Sequence, residues 1–395
     1  MEYQALVVSF PPEQDLSLQQ WLHQQWPSDP LLEQAIPWAR SIPDIFPRST
    51  SGFPPYSNSE QPTTSSSTTT KSCRIGLFQF TPCGQYIACV IESDTIALID
   101  LQQQQQPSTG WMHTLRSHLQ HNIASIAFRP TCPWQLAVGC WTGIALWKKT
   151  QLQWLTWKQH VQVECVSWSK DGSLLASFSG LDKSILLWDV GLSQPLVLAK
   201  ENTLPVCDIS FGVCGDAFLF VGYASPRYHF TVYDMLEWKP QRWKRQHKVT
   251  STTPCCKIAW SNCSIAIIAS YNQLYALDIA EQDVVWTQCL PDDQDNPHRR
   301  IVDIAWDPSA QRLAVLIFYP AQTSPPRGHR THIALYATQC EPVFRMHFIG
   351  WITDGEVWAL GISFPPSDCP FGALLAISWN IGTIQLVPLV FAKQP

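Results

Sequence analysis

The sequence predicts an all-β chain wound into a seven-bladed β-propeller. Three observations carry this reading. A block of apolar, small and aromatic residues recurs along the chain. A second apolar block recurs in phase with it. Strand-sized apolar runs bounded by turn residues fill the space between the two.

The first block reads Ile126-Ala127-Phe128, Val166-Ser167-Trp168, Ile209-Ser210-Phe211, Ile258-Ala259-Trp260, Ile304-Ala305-Trp306 and Ile362-Ser363-Phe364, with a looser copy at Phe78-Gln79-Phe80. Turn residues follow each copy, among them Pro82 with Gly84, Asp171-Gly172 and Pro308. The second block closes each unit: Ile96 to Ile99, Ile144 to Trp147, Ile185 to Trp188, Phe230 to Tyr233, Leu274 to Leu277, Ile333 to Tyr336 and Ile384 to Val387. Runs such as Leu136-Ala137-Val138 and Leu313 to Leu316 supply a third strand, and each unit leaves room for a fourth. A single four-stranded sheet has two apolar faces and cannot bury both. Setting such sheets around an axis covers each face with a neighbour. Seven units in phase therefore mean seven blades, expected over residues 73–392.

Two parts lie outside this repeat. Residues 1–48 form an N-terminal extension with strand and short-helix signals. Tyr3 to Phe10 is strand-like and offers a fourth strand for the last blade, but the sequence does not choose between that and a free end. Asp15 caps a helix carrying Leu18, Trp21, Leu22 and Trp26 on one face, and Asp29-Pro30 opens a second helix over Leu31 to Ile36. Trp21 and Trp26 are candidates for a partner contact or for packing on the ring itself. Residues 49–72 are rich in Ser, Thr and Pro and read as a disordered linker.

Composition narrows the function. The 395 residues carry a net charge of −5, so wholesale binding of nucleic acid by charge is not expected. No apolar run approaches the roughly 18–20 residues of a membrane span, and the N-terminus lacks a basic signal-peptide start, which places the expected chain on the cytosolic or nuclear side. The 14 cysteines are then reduced thiols; they form no Cys-x-x-Cys pair. There is no Gly-x-Ser-x-Gly elbow, phosphate loop or His-Glu-x-x-His. No catalytic, cofactor-binding or metal-ligating set is expected.

The innermost strand places Ser125, Cys165, Asp208, Lys257 and Asp303 in matching slots. A carboxylate ring would signal a site; this mixture reads as structural, with Asp208 and Asp303 bonded within the inner turns. His118 and His121 sit in a loop between blades without a Cys partner nearby, and read as solvated. The basic-aromatic stretch Trp238, Lys239, Arg242, Trp243, Lys244, Arg245 and Lys248 has two readings. One is a contact surface for a partner or an anionic face. The other is an exposed outer strand whose indoles pack on the neighbouring blade.

The blade ends have the flavour of WD repeats. Among these blade ends only Trp188-Asp189 is a true Trp-Asp pair, and the Gly-His dipeptide ahead of a blade is reduced to a lone His160 or His247, so the inner hydrogen-bond tetrad is expected to be mostly absent. Several ordered stretches resemble the aladin family of WD-repeat nucleoporins. They are Leu119 to Pro130 with Leu136 to Cys140, Trp306 to Leu316, Gly372 to Trp379 with Gly382 and Ile384 to Phe391, and the spacing of Trp238 to Arg242-Trp243. Together they cover most of residues 75–391. The family's longer C-terminal tail has no counterpart after Phe391, so no role of that tail is carried over.

The resemblance implies a non-enzymatic scaffold of the nuclear pore complex at the nuclear envelope, supporting nucleocytoplasmic transport. Its implied partners are other nucleoporins, including a membrane-spanning anchor, with transport factors as further candidates. Membrane association would then be indirect, and direct nucleic-acid contact is not expected. The alternatives are a substrate receptor of a ubiquitin ligase or a scaffold of another assembly. The Trp-Asp-x-Arg motif common in such receptors is missing, since Trp188-Asp189 runs into Val190-Gly191.

Overall fold

The computed structural model describes residues 5–7, 75–91, 94–101, 111–189, 194–199, 206–212, 218–223, 230–241, 256–260, 264–290, 299–320, 330–352, 357–366 and 372–391. They form seven four-stranded antiparallel sheets, one per predicted blade. The innermost strands, in blade order, are Phe78–Phe80, Ser125–Arg129, Val163–Trp168, Val206–Phe211, Cys256–Trp260, Arg300–Trp306 and Ala359–Ser363. Each contains one copy of the first repeat block or abuts it. The second block forms the third strand of every blade. The helical signals of the extension, the 49–72 tract and the glutamine run from 102 to 106 lie outside the described residues.

The middle strands are apolar on both faces because a blade is covered on both sides. Ile265–Ser270 of blade five is buried at every position. The outer strand of the same blade, Asp283–Cys289, alternates between half-buried and exposed, as a strand with one wet face should. Among the described residues there are seven apolar clusters, one at each interface between neighbouring blades. Blades two and three meet through Ile144, Leu146, Val163, Trp168, Leu186 and Trp188. Blades seven and one meet through Ile384 and Leu386 on one side and Ile75, Phe80 and Ile87 on the other. Burying each such side chain contributes about 1.5–3 kcal/mol, so a blade without its neighbours would lose most of its stabilisation.

The turn after the innermost strand has one construction in several blades. Its first residue is a side-chain acceptor that holds the start of the next strand. Tyr86 N–H donates to Thr81 Oγ1 (3.1 Å), Leu174 N–H to Ser169 Oγ (2.9 Å) and Arg312 N–H to Asp307 Oδ1. Three residues on, the backbone enters the left-handed region at Gly84 (φ 69°), Gly172 (φ 70°) and Ala310 (φ 59°). Glycine adopts this conformation freely, which explains the Thr-Pro-Cys-Gly and Ser-Lys-Asp-Gly spellings.

The ring closes through the N-terminus. Ala5–Val7 pairs antiparallel with Ile384–Phe391, in the register Ala5 to Phe391 and Val7 to Leu389, and forms the fourth strand of blade seven. Within the strand signal at Tyr3 to Phe10, the described residues Ala5–Val7 thus belong to the propeller, although they lie within the expected extension. In chain order, the innermost strand of blade one therefore follows the outer strand of blade seven, as in any pair of successive blades. In an antiparallel four-stranded blade, the connections between successive blades share one face of the disc with the turns between second and third strands. Backbone hydrogen bonds tie the two kinds of loop together around that face, as in Trp141 N–H to His121 O (2.9 Å), Gly180 N–H to Gln162 O (2.9 Å) and Ile301 N–H to Tyr271 O (2.6 Å).

Candidate functional site

The innermost strands surround a central channel with a cavity of about 480 Å³, whose polar lining includes Gln79, Ser125, Glu164, Asp208, Lys257 and Asp303. The slots singled out in the sequence, Ser125, Cys165, Asp208, Lys257 and Asp303, all line this cavity, and the structure adds Gln79 and Glu164 to them. Their hydrogen bonds follow a rule. A side chain three residues before the blade aromatic bonds the next blade's innermost strand. Val166 N–H donates to Ser125 Oγ (3.2 Å) and Ile258 N–H to Asp208 Oδ2 (3.1 Å), while Cys165 Sγ–H donates to Cys207 O (3.7 Å). Asp303 accepts from Ile304 N–H within its own strand (3.0 Å) and from the Ile362 amide of blade seven. A second tier sits one residue before the aromatic: Phe128 N–H donates to Gln79 Oε1 (3.0 Å) and Phe211 N–H to Ser167 Oγ (3.4 Å).

Asp208 and Asp303 are therefore structural, but not through the inner turns as expected. They bind neighbouring blades together, because strands around a narrow axis leave inward-facing amides that only the adjacent blade can reach. Lys257 cannot accept a hydrogen bond and breaks the pattern in blade five. Its charge instead favours the ionised forms of Asp208 and Asp303. Burial outweighs that pull, raising the Asp208 carboxyl above its usual range and pushing Asp303 up to about 6. Burial likewise pushes the Cys165 thiol up to about 12, leaving it protonated and a poor nucleophile at neutral pH.

One carboxylate at the mouth is different. The pairing between the first two strands of blade three shifts register between Val163 and Cys165, and the extra residue is Glu164. A bulge re-aims the inserted side chain. Glu164 lines the channel, is exposed, and has its carboxyl raised by partial desolvation. It lies so close to Gly180, in the next turn, that a Cβ at Gly180 would fall 2.1 Å from Glu164 Oε1. The sequence reading missed Glu164. The same bulge recurs in blades four, six and seven, at Cys207, Val302 and Leu360, so it carries no sequence signal particular to Glu164.

Blade three also holds a complete side-chain network. Ser184 Oγ–H donates to Asp182 Oδ1 (2.8 Å), so Ser184 accepts from His160 Nδ1–H (2.9 Å). His160 Nε2 then accepts from Ser177 Oγ–H (2.8 Å), and Ser177 Oγ accepts from Trp188 Nε1–H (2.8 Å). The bond directions assign the neutral Nδ1–H tautomer, consistent with a histidine pKa lowered by burial despite the nearby Asp182. In blade two, Gln120 stands in for the histidine and accepts from Trp147 Nε1–H (2.8 Å). Blades one and four to seven carry Ile99, Tyr233, Leu277, Tyr336 and Val387 where blade three has Trp188, so an indole-centred tetrad cannot form in them.

The sequence-predicted surface residues fall as follows. Trp238 is half-buried against the cluster between blades three and four, with φ at 54°. Lys239 is exposed and pairs with Glu237 (3.0 Å), and only Lys239–Pro240 continues as an outer strand. Arg242, Trp243, Lys244, Arg245, Lys248, Trp21 and Trp26 lie outside the described residues. His121 faces Asp94, with Nδ1 to Oδ2 at 3.6 Å. The sequence did not single out three exposed apolar side chains, Leu119, Trp141 and Leu181. They occupy successive loops on the face that carries the turns between second and third strands.

Residues 153–189 match the model of the WD domain, G-beta repeat, and span the outer strand of blade two with three strands of blade three. That segment contains the whole network from His160 to Trp188. The ring is a seven-bladed propeller of the WD-repeat type. The chain is 22% identical to Aladin of Arabidopsis thaliana over 320 residues, covering 71% of this chain and 68% of that protein. Among solved structures, the β-propeller domain of Myceliophteria thermophila Cps50 (Swd1) superposes with a TM-score of 0.59 at 14% identity, over 82% of this chain and 98% of that one. At that identity, the second likeness concerns the fold alone.

Proposed function

We propose that this chain is a non-enzymatic, aladin-like scaffold of the nuclear pore complex, working at the nuclear envelope through protein–protein contacts. The observation that carries the reading is the similarity to Aladin, which at 320 residues runs through several blades and so exceeds what a single repeat would give. The channel chemistry is consistent with it. Asp208 and Asp303 hold neighbouring amides, and the Cys165 thiol stays protonated. A ring whose inward polar groups serve its own cohesion suits a rigid platform with two faces and a rim. The partners under this reading are other nucleoporins, including a membrane-spanning one, with transport factors engaged secondarily.

A fluorescent fusion of the full chain tests the proposal. The expected signal is a punctate nuclear rim, with a membrane-spanning nucleoporin among the co-purifying proteins. A diffuse signal with a co-purifying cullin would replace this reading with that of a ubiquitin-ligase receptor.

A further inference from the structure

The outer strand of each blade is an edge on the rim of the disc. Blade six has the longest, Arg345–Ile352, with eight residues against two to seven in the other blades. Its far side pairs with no strand among the described residues. Lysine, proline or inward-pointing charge commonly blunts such an edge, and the run Phe348-Ile349-Gly350-Trp351-Ile352 has none of them. It has a bulge instead. Pairing with Arg330–Gln339 shifts register between Leu335 and Tyr336, so Ile349 is the inserted residue. The bulge divides the edge into two short runs and sets Phe348 and Trp351, three residues apart, on one face. Their rings lie 5.2 Å apart; Phe348 continues onto Tyr336 (5.6 Å) and Trp351 onto His332 (6.0 Å). They are 38% and 37% exposed.

The other face is polar. Met346 is buried in the cluster between blades five and six, so Arg345 and His347, on either side of it, point the opposite way. Both are exposed, and neither makes an ion pair among the described residues. Gly350 lies between the two aromatics. Its φ is not left-handed, and a Cβ there would meet no atom within 4 Å, so neither backbone nor packing requires glycine. A glycine of this kind within a strand marks a place where another backbone comes close.

We infer that the free edge of Arg345–Ile352 pairs with a short extended segment of a partner protein in which apolar and acidic residues alternate. Side chains directly opposite each other on one face of a strand pair touch. The apolar face of the incoming segment therefore meets Phe348 and Trp351, and its other face brings carboxylates to Arg345 and His347. Charge selects the occupant: a basic segment would set like charge against Arg345, and a wholly apolar one would leave that cation uncompensated. The period of two follows from the placement of the aromatic and basic side chains on opposite faces, and it selects a strand over a helix. This edge lies on the rim, away from the channel, and the inference does not depend on where in the cell the chain works.

Phage-displayed random dodecapeptides panned against the full-length chain supply the probes. Enriched peptides should be acidic, with an aliphatic or aromatic residue at every second position. They are then synthesised and titrated against wild type, Trp351→Ala and Arg345→Glu, once melting has shown each variant to be folded. Should Trp351→Ala unfold, the exposed Arg345→Glu carries the test. Trp351→Ala should weaken binding by about tenfold or more, the effect expected for a central anchor. Arg345→Glu should weaken the acidic peptides and regain binding when their carboxylates are replaced by lysines. Methylation of alternate peptide amides reads the pairing itself. One set of positions should abolish binding and the other leave it intact, because only every second amide of a strand faces a given neighbour. Failure to enrich any peptide, enrichment of basic peptides, equal binding to all three proteins, or equal effects of the two methylation sets would overturn the inference. So would binding seen only after deleting residues 13–48, which would make the chain's own N-terminal segment the occupant. A wild-type dimer dispersed by Trp351→Ala would do the same for a second copy.

Discussion

Asp208 Oδ2 accepts a hydrogen bond from the Ile258 amide at 3.1 Å, joining the innermost strand of blade four to that of blade five. The same slot does this work in blades two and six through Ser125 and Asp303. The bond predicts an ordering of variants. Asp208→Asn keeps an oxygen acceptor and removes a desolvated charge, so its stability should equal or exceed that of the wild type. Asp208→Ala leaves the Ile258 amide to channel water, which softens a penalty of about 1–3 kcal/mol toward its lower end. The urea midpoints measure the order. An alanine variant as stable as the asparagine variant would remove Asp208 from the inter-blade bonding.

Asp303 predicts a pH signature. Its folded-state carboxyl titrates near 6, above the usual aspartate value, chiefly through burial. The folded state then holds a proton that the unfolded state has already lost. Stability from this group falls as pH rises from about 4 to about 6 and stays reduced above that. His160 runs the other way: with its pKa lowered by burial, stability is lost as pH drops below the unfolded histidine value. The wild-type curve mixes the two effects. The difference between Asp303→Asn and wild type isolates the first, and the variant's advantage in melting temperature should be larger at pH 7.5 than at pH 4.5. An advantage independent of pH would contradict the raised carboxyl.

Ser177 stands between two buried donors and acceptors at once. Ser177→Ala removes the partners of Trp188 Nε1 and His160 Nε2 together, in a site with no room for solvation. The expected loss is about 2–5 kcal/mol, from two unsatisfied buried groups. Hydrogen exchange should place the loosening in Leu174–Ser179 and Ile185–Asp189. A loss below half a kcal/mol would show the network to be incidental.

Much of the fold was legible because blades repeat. The aromatic ending each innermost strand and the apolar block of each third strand recur in phase, and a periodic burial demand leaves a periodic spelling. The channel was legible in part. Asp208, Lys257 and Asp303 were recognised as equivalent slots, but their partners belong to the next blade, a relation of tertiary geometry with no local signature. Glu164 was hidden because a bulge adds one residue without changing the apolar pattern. Trp141 and Leu181 were hidden because an apolar residue in a turn is spelled like one in a strand. The His160 network was only half visible: Trp188-Asp189 marked its end, whereas Ser177 and Asp182 are unremarkable until the strands pair.

Trp168 and Trp306 test the register of the innermost strands. Both are buried, and Trp168 Nε1–H donates to Ala127 O of the preceding blade at 3.0 Å, while Trp306 Nε1–H donates to Thr338 Oγ1 at 2.9 Å within blade six. Either tryptophan replaced by alanine should cost about 3–5 kcal/mol. Trp168→Phe keeps an aromatic ring and loses the bond across the interface, so it should fall between the two. Wild-type-like melting of both alanine variants would mean that the indoles do not occupy these cores.

The N-terminal strand supplies the last test, because blade seven is assembled from both ends of the described chain. Leu6 pairs with Val390 in the middle of a three-residue strand. Leu6→Pro imposes a φ of about −65° on the middle of this three-residue strand, away from the extended value an antiparallel ladder needs. Without Ala5–Val7, the third strand of blade seven becomes an unpaired edge at Leu389 to Phe391, whereas its other side still pairs with Gly372–Trp379. Amide exchange of the full chain should therefore accelerate at Leu389, Val390 and Phe391 in Leu6→Pro, with Ile185–Asp189 of blade three unaffected at matched stability. Melting should also fall, since opening blade seven exposes its interfaces with blades six and one together. Unchanged exchange at Leu389 to Phe391 would place ring closure in the apolar packing of Ile384 and Leu386 against Ile75 and Phe80 alone.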